Sequence, residues 1–167
     1  SGGGIAKVAA SKSRKAGRVD RSKRRSKGGK PPTLPERYQP NDNEEFMGPL
    51  QQEYFRQKLL GWRRDILAAS SQAINTLRQD TGPEADIGDR ASTEAGRLIE
   101  LRGRDRARKL LSKIEAALQR IEDGTYGFCE ETGEPIGISR LEARPVATLS
   151  LAAQERHERI EKTYSDD

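Results

Sequence analysis

The sequence predicts a mainly helical protein: a hairpin of two long amphipathic helices, a small knot of turns, a last helix and a basic tail. Three observations carry that reading. Hydrophobic residues make up 32% of the 167 and charged residues 34%, and Leu, Ile, Val and Phe together supply only 30. So low an apolar share excludes a large single core and leaves disorder, or elongated helices that bury a narrow stripe. Apolar residues also recur at three- and four-residue spacing through two long stretches, separated by a segment carrying Gly82, Pro83 and Gly88. Finally, the formal net charge of +5 is divided unevenly: residues 1–35 hold 11 Lys/Arg against Asp20, and the remainder is net acidic.

Residues 1–40 read as a disordered basic tail and linker. The basic part has no aromatic residue and, as large aliphatics, only Ile5, Val8, Val19 and Leu34, too little to offset its ordering entropy. It is either a sequence-independent electrostatic arm for nucleic acid, acting through residues 1–35, or a solvated tail. Pro31, Pro32 and Pro35 stiffen the short linker. Residues 41–124 form the helical region. Gly48-Pro49 suits a helix start, and Leu50, Tyr54, Leu59, Trp62, Ile66, Ala69, Ala73, Ile74 and Leu77 mark one apolar face. The hairpin tip is placed at about residues 81–91. A second helix is expected from near Asp89, an apt N-cap, with Ala91, Ala95, Leu98, Leu101, Ile114, Leu118 and Ile121 as its stripe. It ends at Asp123-Gly124, where glycine can take a left-handed conformation. Two such helices pair as an antiparallel coiled coil, a compact bundle being the alternative. Residues 125–167 form a β-hairpin-like knot followed by a helix from about Pro145 to Lys162.

Several function classes drop out. No apolar run approaches the ~20 residues that cross a bilayer. One cysteine allows no internal disulfide and no Cys-rich zinc site. No secretory signal pattern is present, which reads as cytoplasmic. One histidine, one cysteine and no phosphate- or dinucleotide-binding fingerprint argue against an enzyme.

Two stretches are specific: Tyr126-Gly127-Phe128-Cys129-Glu130-Glu131-Thr132-Gly133, and Ile136-Gly137-Ile138-Ser139-Arg140-Leu141-Glu142-Ala143-Arg144-Pro145. Upstream lie Asp86-Ile87-Gly88-Asp89-Arg90-Ala91 and Arg102-Gly103-Arg104-Asp105-Arg106-Ala107-Arg108-Lys109-Leu110. In this order, over about residues 40–164, they resemble the DksA/TraR family of bacterial transcription factors. The resemblance implies a coiled-coil hairpin, a globular part around a four-cysteine zinc finger and a C-terminal helix. It further implies binding to bacterial RNA polymerase rather than promoter DNA. The hairpin would enter the secondary channel and alter initiation in a stringent-response manner together with ppGpp.

Carried onto this chain, the tip residues are Asp86, Asp89 and Ala91. Asp86 and Asp89 also read simply as a turn former and a helix cap, which is compatible with a tip role. The alarmone positions correspond to Arg106, Lys113 and Arg144, while a further family lysine is Gln154 here. Arg102, Arg104, Arg106, Arg108 and Lys109 read either as a solvated face, with Asp105 pairing to Arg108 or Lys109, or as a contact with polymerase or a phosphate-rich effector. The four zinc-ligand positions are Cys129, Thr132, Ser150 and Ala153. Only the first is a thiol, and Cys129 with His157 makes two ligands, so no structural zinc or other cofactor is expected. The knot must then hold by packing, with Phe128, Ile136, Ile138, Leu141, Val146, Leu149 and Leu151 as candidates. Cys129 reads as an inert small hydrophobe or as a redox sensor. Glu142 can pair with Arg140 or Arg144 and brace the knot against the hairpin base. The alternative function is nucleic-acid binding by the basic arm.

Overall fold

The computed structural model describes residues 29–80 and 87–165. It contains four helices among the described residues: α1 (Pro49–Asp80), α2 (Ile87–Asp123), α3 (Ile138–Ala143) and α4 (Leu151–Ser165). With 32 and 37 residues, α1 and α2 are each about 50 Å long at ~1.5 Å per residue and pack on one another as the hairpin.

Local chemistry sets the ends of the long helices. At the start of α1, the Gln52 N–H donates to the Gly48 carbonyl (3.0 Å), and the Gln51 side chain accepts from the Met47 N–H (2.8 Å). The Gln51 amide also donates to the Asn41 carbonyl (3.0 Å), so this buried polar side chain is satisfied. The segment before α1 is therefore folded back against it, and the Tyr38 ring meets the Tyr54 ring edge-on at 6.0 Å. At the end of α2, Gly124 takes φ 75, Thr125 N–H donates to the Arg120 carbonyl (2.9 Å) and Gly124 N–H to the Ile121 carbonyl (3.2 Å). That pair of bonds is a Schellman cap, which satisfies carbonyls a helix end otherwise leaves orphaned.

The core sits at the base of the hairpin. Phe55 and Leu59 of α1, and Ile114, Ala117 and Ile121 of α2, are buried together with Tyr126, Cys129, Ile136, Ile138, Leu141, Val146, Ala147 and Ala153. Tyr126 is held at both ends: its ring lies 5.7 Å from Phe55, and its hydroxyl donates to the Pro145 carbonyl (2.8 Å). Gly127 has φ +85, and a Cβ there would lie 2.9 Å from Met47 Cγ, so both backbone and space require glycine. Lys58 Nζ reaches the Glu142 carboxylate (2.5 Å) and the Glu142 carbonyl (3.1 Å), tying α1 to α3. Arg63 and Glu115 join α1 to α2 at 2.6 Å.

Several sequence expectations need correction. α2 begins at Ile87, so Asp89 lies inside the helix and is not its cap. The last helix begins at Leu151, not near Pro145; the short helix α3 ends before Pro145, and an irregular stretch fills the interval up to α4. Leu151 is 58% exposed and does not belong to the core. Leu98 and Leu101 are also exposed, because a two-helix hairpin has no third layer over the flanks of its stripe. Phe55, fully buried, is the main core residue of α1 that the periodicity passes over in favour of the half-buried Tyr54. Glu142 braces the knot, but through Lys58 and not through a neighbouring arginine. No helix among the described residues is long and apolar enough to cross a membrane.

Candidate functional site

Three regions hold the residues singled out by sequence. The first is the tip. Asp86 lies outside the described residues; Asp89 and Ala91 fall in the first turns of α2 by their backbone, and their side chains lie outside the described part.

The second is the cationic face of α2. Its residues project there because positions three and four apart share one side of a helix. Ile99, Arg102, Asp105, Arg106 and Lys109 line an open hollow of about 510 Å³. Arg106, Lys109 and Lys113 are exposed. Within the helix Arg108 lies 3.9 Å from Asp105, an exposed contact that contributes little, and the half-buried Arg104 lies 4.0 Å from Glu100. Such a face can take an anionic group from a ligand or a protein. Arg106 and Lys113 share α2, two turns apart, whereas Arg144 is the exposed C-cap residue of α3, its N–H bonded to the Arg140 carbonyl (2.8 Å).

The third region is the knot, where Cys129, Thr132, Ser150 and Ala153 meet. Phe128 pairs with Pro135 in a single antiparallel bridge, and Gly133, at φ 72, closes the turn between them by donating to the Cys129 carbonyl (2.8 Å). The Glu130 N–H donates to the Thr148 carbonyl (2.9 Å), which brings the second pair of positions against the first. Cys129 is 1% exposed. Burial alone would push its thiol up. The Thr132 hydroxyl and the main-chain N–H groups of Ser150, Thr132 and Glu131 outweigh that and bring it down to about 6.

A zinc ion does not fit this donor set. Thr132 Oγ1 accepts from the Glu134 N–H (3.3 Å) in a local turn, and Ser150 Oγ accepts from the Ala153 N–H (3.3 Å) as the N-cap of α4. Ala153 is fully buried and offers no donor atom. His157, the single imidazole, contacts the Glu131 carboxylate, which Arg156 also approaches at 3.6 Å. Among the described residues no three His, Cys, Asp or Glu side chains gather as a metal site.

Sequence reasoning misses the Glu131–His157 contact, because the single histidine draws attention only as a ligand. It also misses Ser150 as a helix cap, although a serine ahead of an Ala- and Glu-rich run is a legible start signal. The bond from Arg140 Nε to the Leu149 carbonyl (3.0 Å) has no signal in the sequence.

Comparison with known proteins places this geometry. The family described as DnaK suppressor protein DksA, N-terminal domain, matches residues 51–121, and the prokaryotic dksA/traR C4-type zinc finger matches residues 124–159. A Caulobacter vibrioides protein named RNA polymerase-binding transcription factor DksA is 58% identical over 130 residues, 78% of this chain and 92% of the relative. The Escherichia coli K12 protein of the same name is 40% identical over 116 residues, 70% of this chain and 77% of the relative. The solved structure of transcription factor DksA2 from Pseudomonas aeruginosa superposes with a TM-score of 0.67 at 43% identity, covering 74% of this chain and 94% of that one. Tandem family matches over the hairpin and the knot, with relatives this similar across most of their length, establish that the chain belongs to the DksA/TraR family.

Proposed function

We propose that this protein is a transcription regulator that binds bacterial RNA polymerase directly, in the cytoplasm, and catalyses no reaction. The observation that carries the reading is identity: 58% and 40% to relatives named RNA polymerase-binding transcription factors, along the hairpin and knot together. In finer detail, the hairpin enters the secondary channel and its tip, with Asp86, Asp89 and Ala91, acts near the active centre. A rod about 50 Å long on a compact base has the shape for such an insertion. Arg106, Lys113 and Arg144 contact ppGpp or polymerase, cationic side chains being suited to phosphate. The knot works without zinc or another cofactor, since its donors are committed to turns and a helix cap.

The test is in vitro transcription from a ribosomal RNA promoter with core polymerase and sigma factor, with and without ppGpp, zinc being chelated throughout. Wild type is expected to alter initiation, and the Asp86→Asn/Asp89→Asn protein to bind polymerase yet lose the effect. Equal activity of wild type and the tip variant would overturn the tip role. A second reading, favoured by the 11 Lys/Arg in residues 1–35, is nucleic-acid binding by the tail. That binding falls steeply with salt and disappears on deletion of those residues, whereas polymerase binding survives the deletion.

A further inference from the structure

The folded part of the chain fixes where the basic segment joins it. Residues 35–47 form a strap laid over the start of α1 and the knot. The Tyr38 N–H donates to the Pro35 carbonyl (3.1 Å), the Tyr38 hydroxyl donates to Glu44 (2.5 Å), and its ring meets Tyr54 edge-on at 6.0 Å. Gln51 is bonded to Asn41 and to Met47, and Met47 packs on Gly127. The strap therefore ends at the base of the hairpin. Tyr54 lies 26 residues before the end of α1 at Asp80, about 40 Å along the helix at ~1.5 Å per residue. Ahead of Tyr38, residues 29–33 and 35–37 are exposed, and Pro31, Pro32 and Pro35 stiffen them. The chain ahead of the strap thus departs from the end of the rod remote from the tip.

Charge is divided along the same line. Residues 12–27 alone carry nine Lys/Arg against Asp20, whereas residues 36–167 carry 20 Lys/Arg and 25 Asp/Glu. A net acidic body gives a polyanion no general attraction, so any such attraction resides in the arm. The arm also lies ahead of the family match, which begins at residue 51. Residues 1–30 contain no aromatic side chain on which an unstacked base could stack. Their Lys, Arg and Ser side chains suit phosphate oxygens, which a duplex presents without exposing its bases. We propose that residues 1–30 bind the phosphate backbone of duplex DNA, without regard to sequence, while the hairpin is held by RNA polymerase, so that one molecule engages both. The inference rests on the polymerase binding proposed above and makes the two readings simultaneous rather than alternative. The geometry permits it: the outer part of the rod can be enclosed while the arm starts outside, at the base. Residues 1–28 span at most about 90 Å at ~3.3 Å each. A second contact linked in this way raises the apparent affinity through effective concentration, with no new contact by the hairpin.

The experiment compares the full chain with two variants that leave the strap intact. One changes the nine Lys/Arg of residues 12–27 to Gln, and the other lacks residues 1–30. Fluorescence anisotropy reads binding to a DNA duplex of arbitrary sequence, to single-stranded RNA of equal length, to DNA-free core polymerase, and to polymerase on promoter DNA. The full chain is expected to prefer the duplex. With six or more cations on phosphates, its duplex affinity falls about 10³-fold between about 50 and 200 mM salt. Both variants lose duplex binding. They bind DNA-free polymerase as the full chain does, but bind the polymerase–DNA complex at least about tenfold more weakly at low salt. Excess free duplex brings the full chain down to their level. A full chain that does not hold the duplex, or holds single-stranded RNA more tightly, would overturn the inference. So would equal binding of all three proteins to the polymerase–DNA complex, or variants that weaken equally on DNA-free polymerase, which would make the arm a polymerase contact. Duplex binding by the full chain with no binding of any of the three to DNA-free polymerase would remove the polymerase reading itself, and the bridge with it.

Discussion

Cys129 shows how one side chain can change character with its surroundings. In sequence it is the lone cysteine, inside the segment that matches a C4-type zinc finger. In the fold it is buried, yet the hydrogen bonds from Thr132, Ser150 and Glu131 bring it to about 6. The folded state therefore favours thiolate, whereas an unfolded cysteine titrates at about 8.5. The stabilisation is fully present above the unfolded value and is lost as pH falls through about 6. Urea denaturation of wild type and Cys129→Ser under reducing conditions should show a stability gap that widens from about pH 6 to about pH 8.5, reaching on the order of a few kcal/mol. A gap independent of pH would mean that the cage of donors does not hold a thiolate. Tyr126 makes the opposite case: burial pushes its phenol above the ordinary range, so it stays neutral and donates to the Pro145 carbonyl.

Among the elements, α4 is the least secured and the easiest to perturb. Its start depends on Ser150, whose hydroxyl accepts from the Ala153 N–H at 3.3 Å, and on the first helical bond from Gln154 to the Ser150 carbonyl at 2.9 Å. Removing the cap with Ser150→Ala should cost about 1 kcal/mol and lower helix content at the C-terminus. Chemical denaturation and far-UV circular dichroism would measure both, and an unchanged stability would show that the cap is dispensable. The long helices respond differently. Phe55, Leu59 and Ile114 are fully buried at the base, whereas Leu98, Ile99 and Leu101 are exposed further along α2. The hairpin is thus anchored at the base, and its outer part depends on helix formation and a narrow seam.

The whole molecule combines a rod with a small knot whose interior the two share. Tyr126, Cys129 and Ala153 lie in the same core as Phe55 and Ile114, and Lys58 reaches across to Glu142. The knot is therefore stabilised by packing on the hairpin base together with the Tyr126, Arg140 and Lys58 bonds. If these contacts hold the fold without metal, a strong chelator leaves the thermal midpoint and the circular dichroism spectrum of the full protein unchanged. A marked fall of the midpoint on chelation would show that a metal contributes to folding after all. Sharing one core also predicts that hairpin base and knot unfold together, as one cooperative unit.

Much of this architecture is written into local sequence. Two long runs of helical periodicity, a Gly-Pro start and an Asp-Gly stop are sufficient for the hairpin, because capping and amphipathicity are short-range properties. The motifs around Gly127 and Arg140 point to the family for the same reason: tight turns need particular residues at particular spacings. Sequence also settles that Thr132, Ser150 and Ala153 are poor zinc ligands, since that is chemistry of residue type. Only the tertiary structure decided what those residues do instead. Helical spacing did not distinguish Phe55 from Tyr54 as the main core residue, because the knot selects which face of α1 is covered. Lys58 with Glu142 and Glu131 with His157 lie far apart in the chain, and their meeting depends on how the knot packs on the hairpin base and where α4 leaves it. Long-range pairs of charged side chains leave no periodic trace, so both contacts became visible only once the chain was folded.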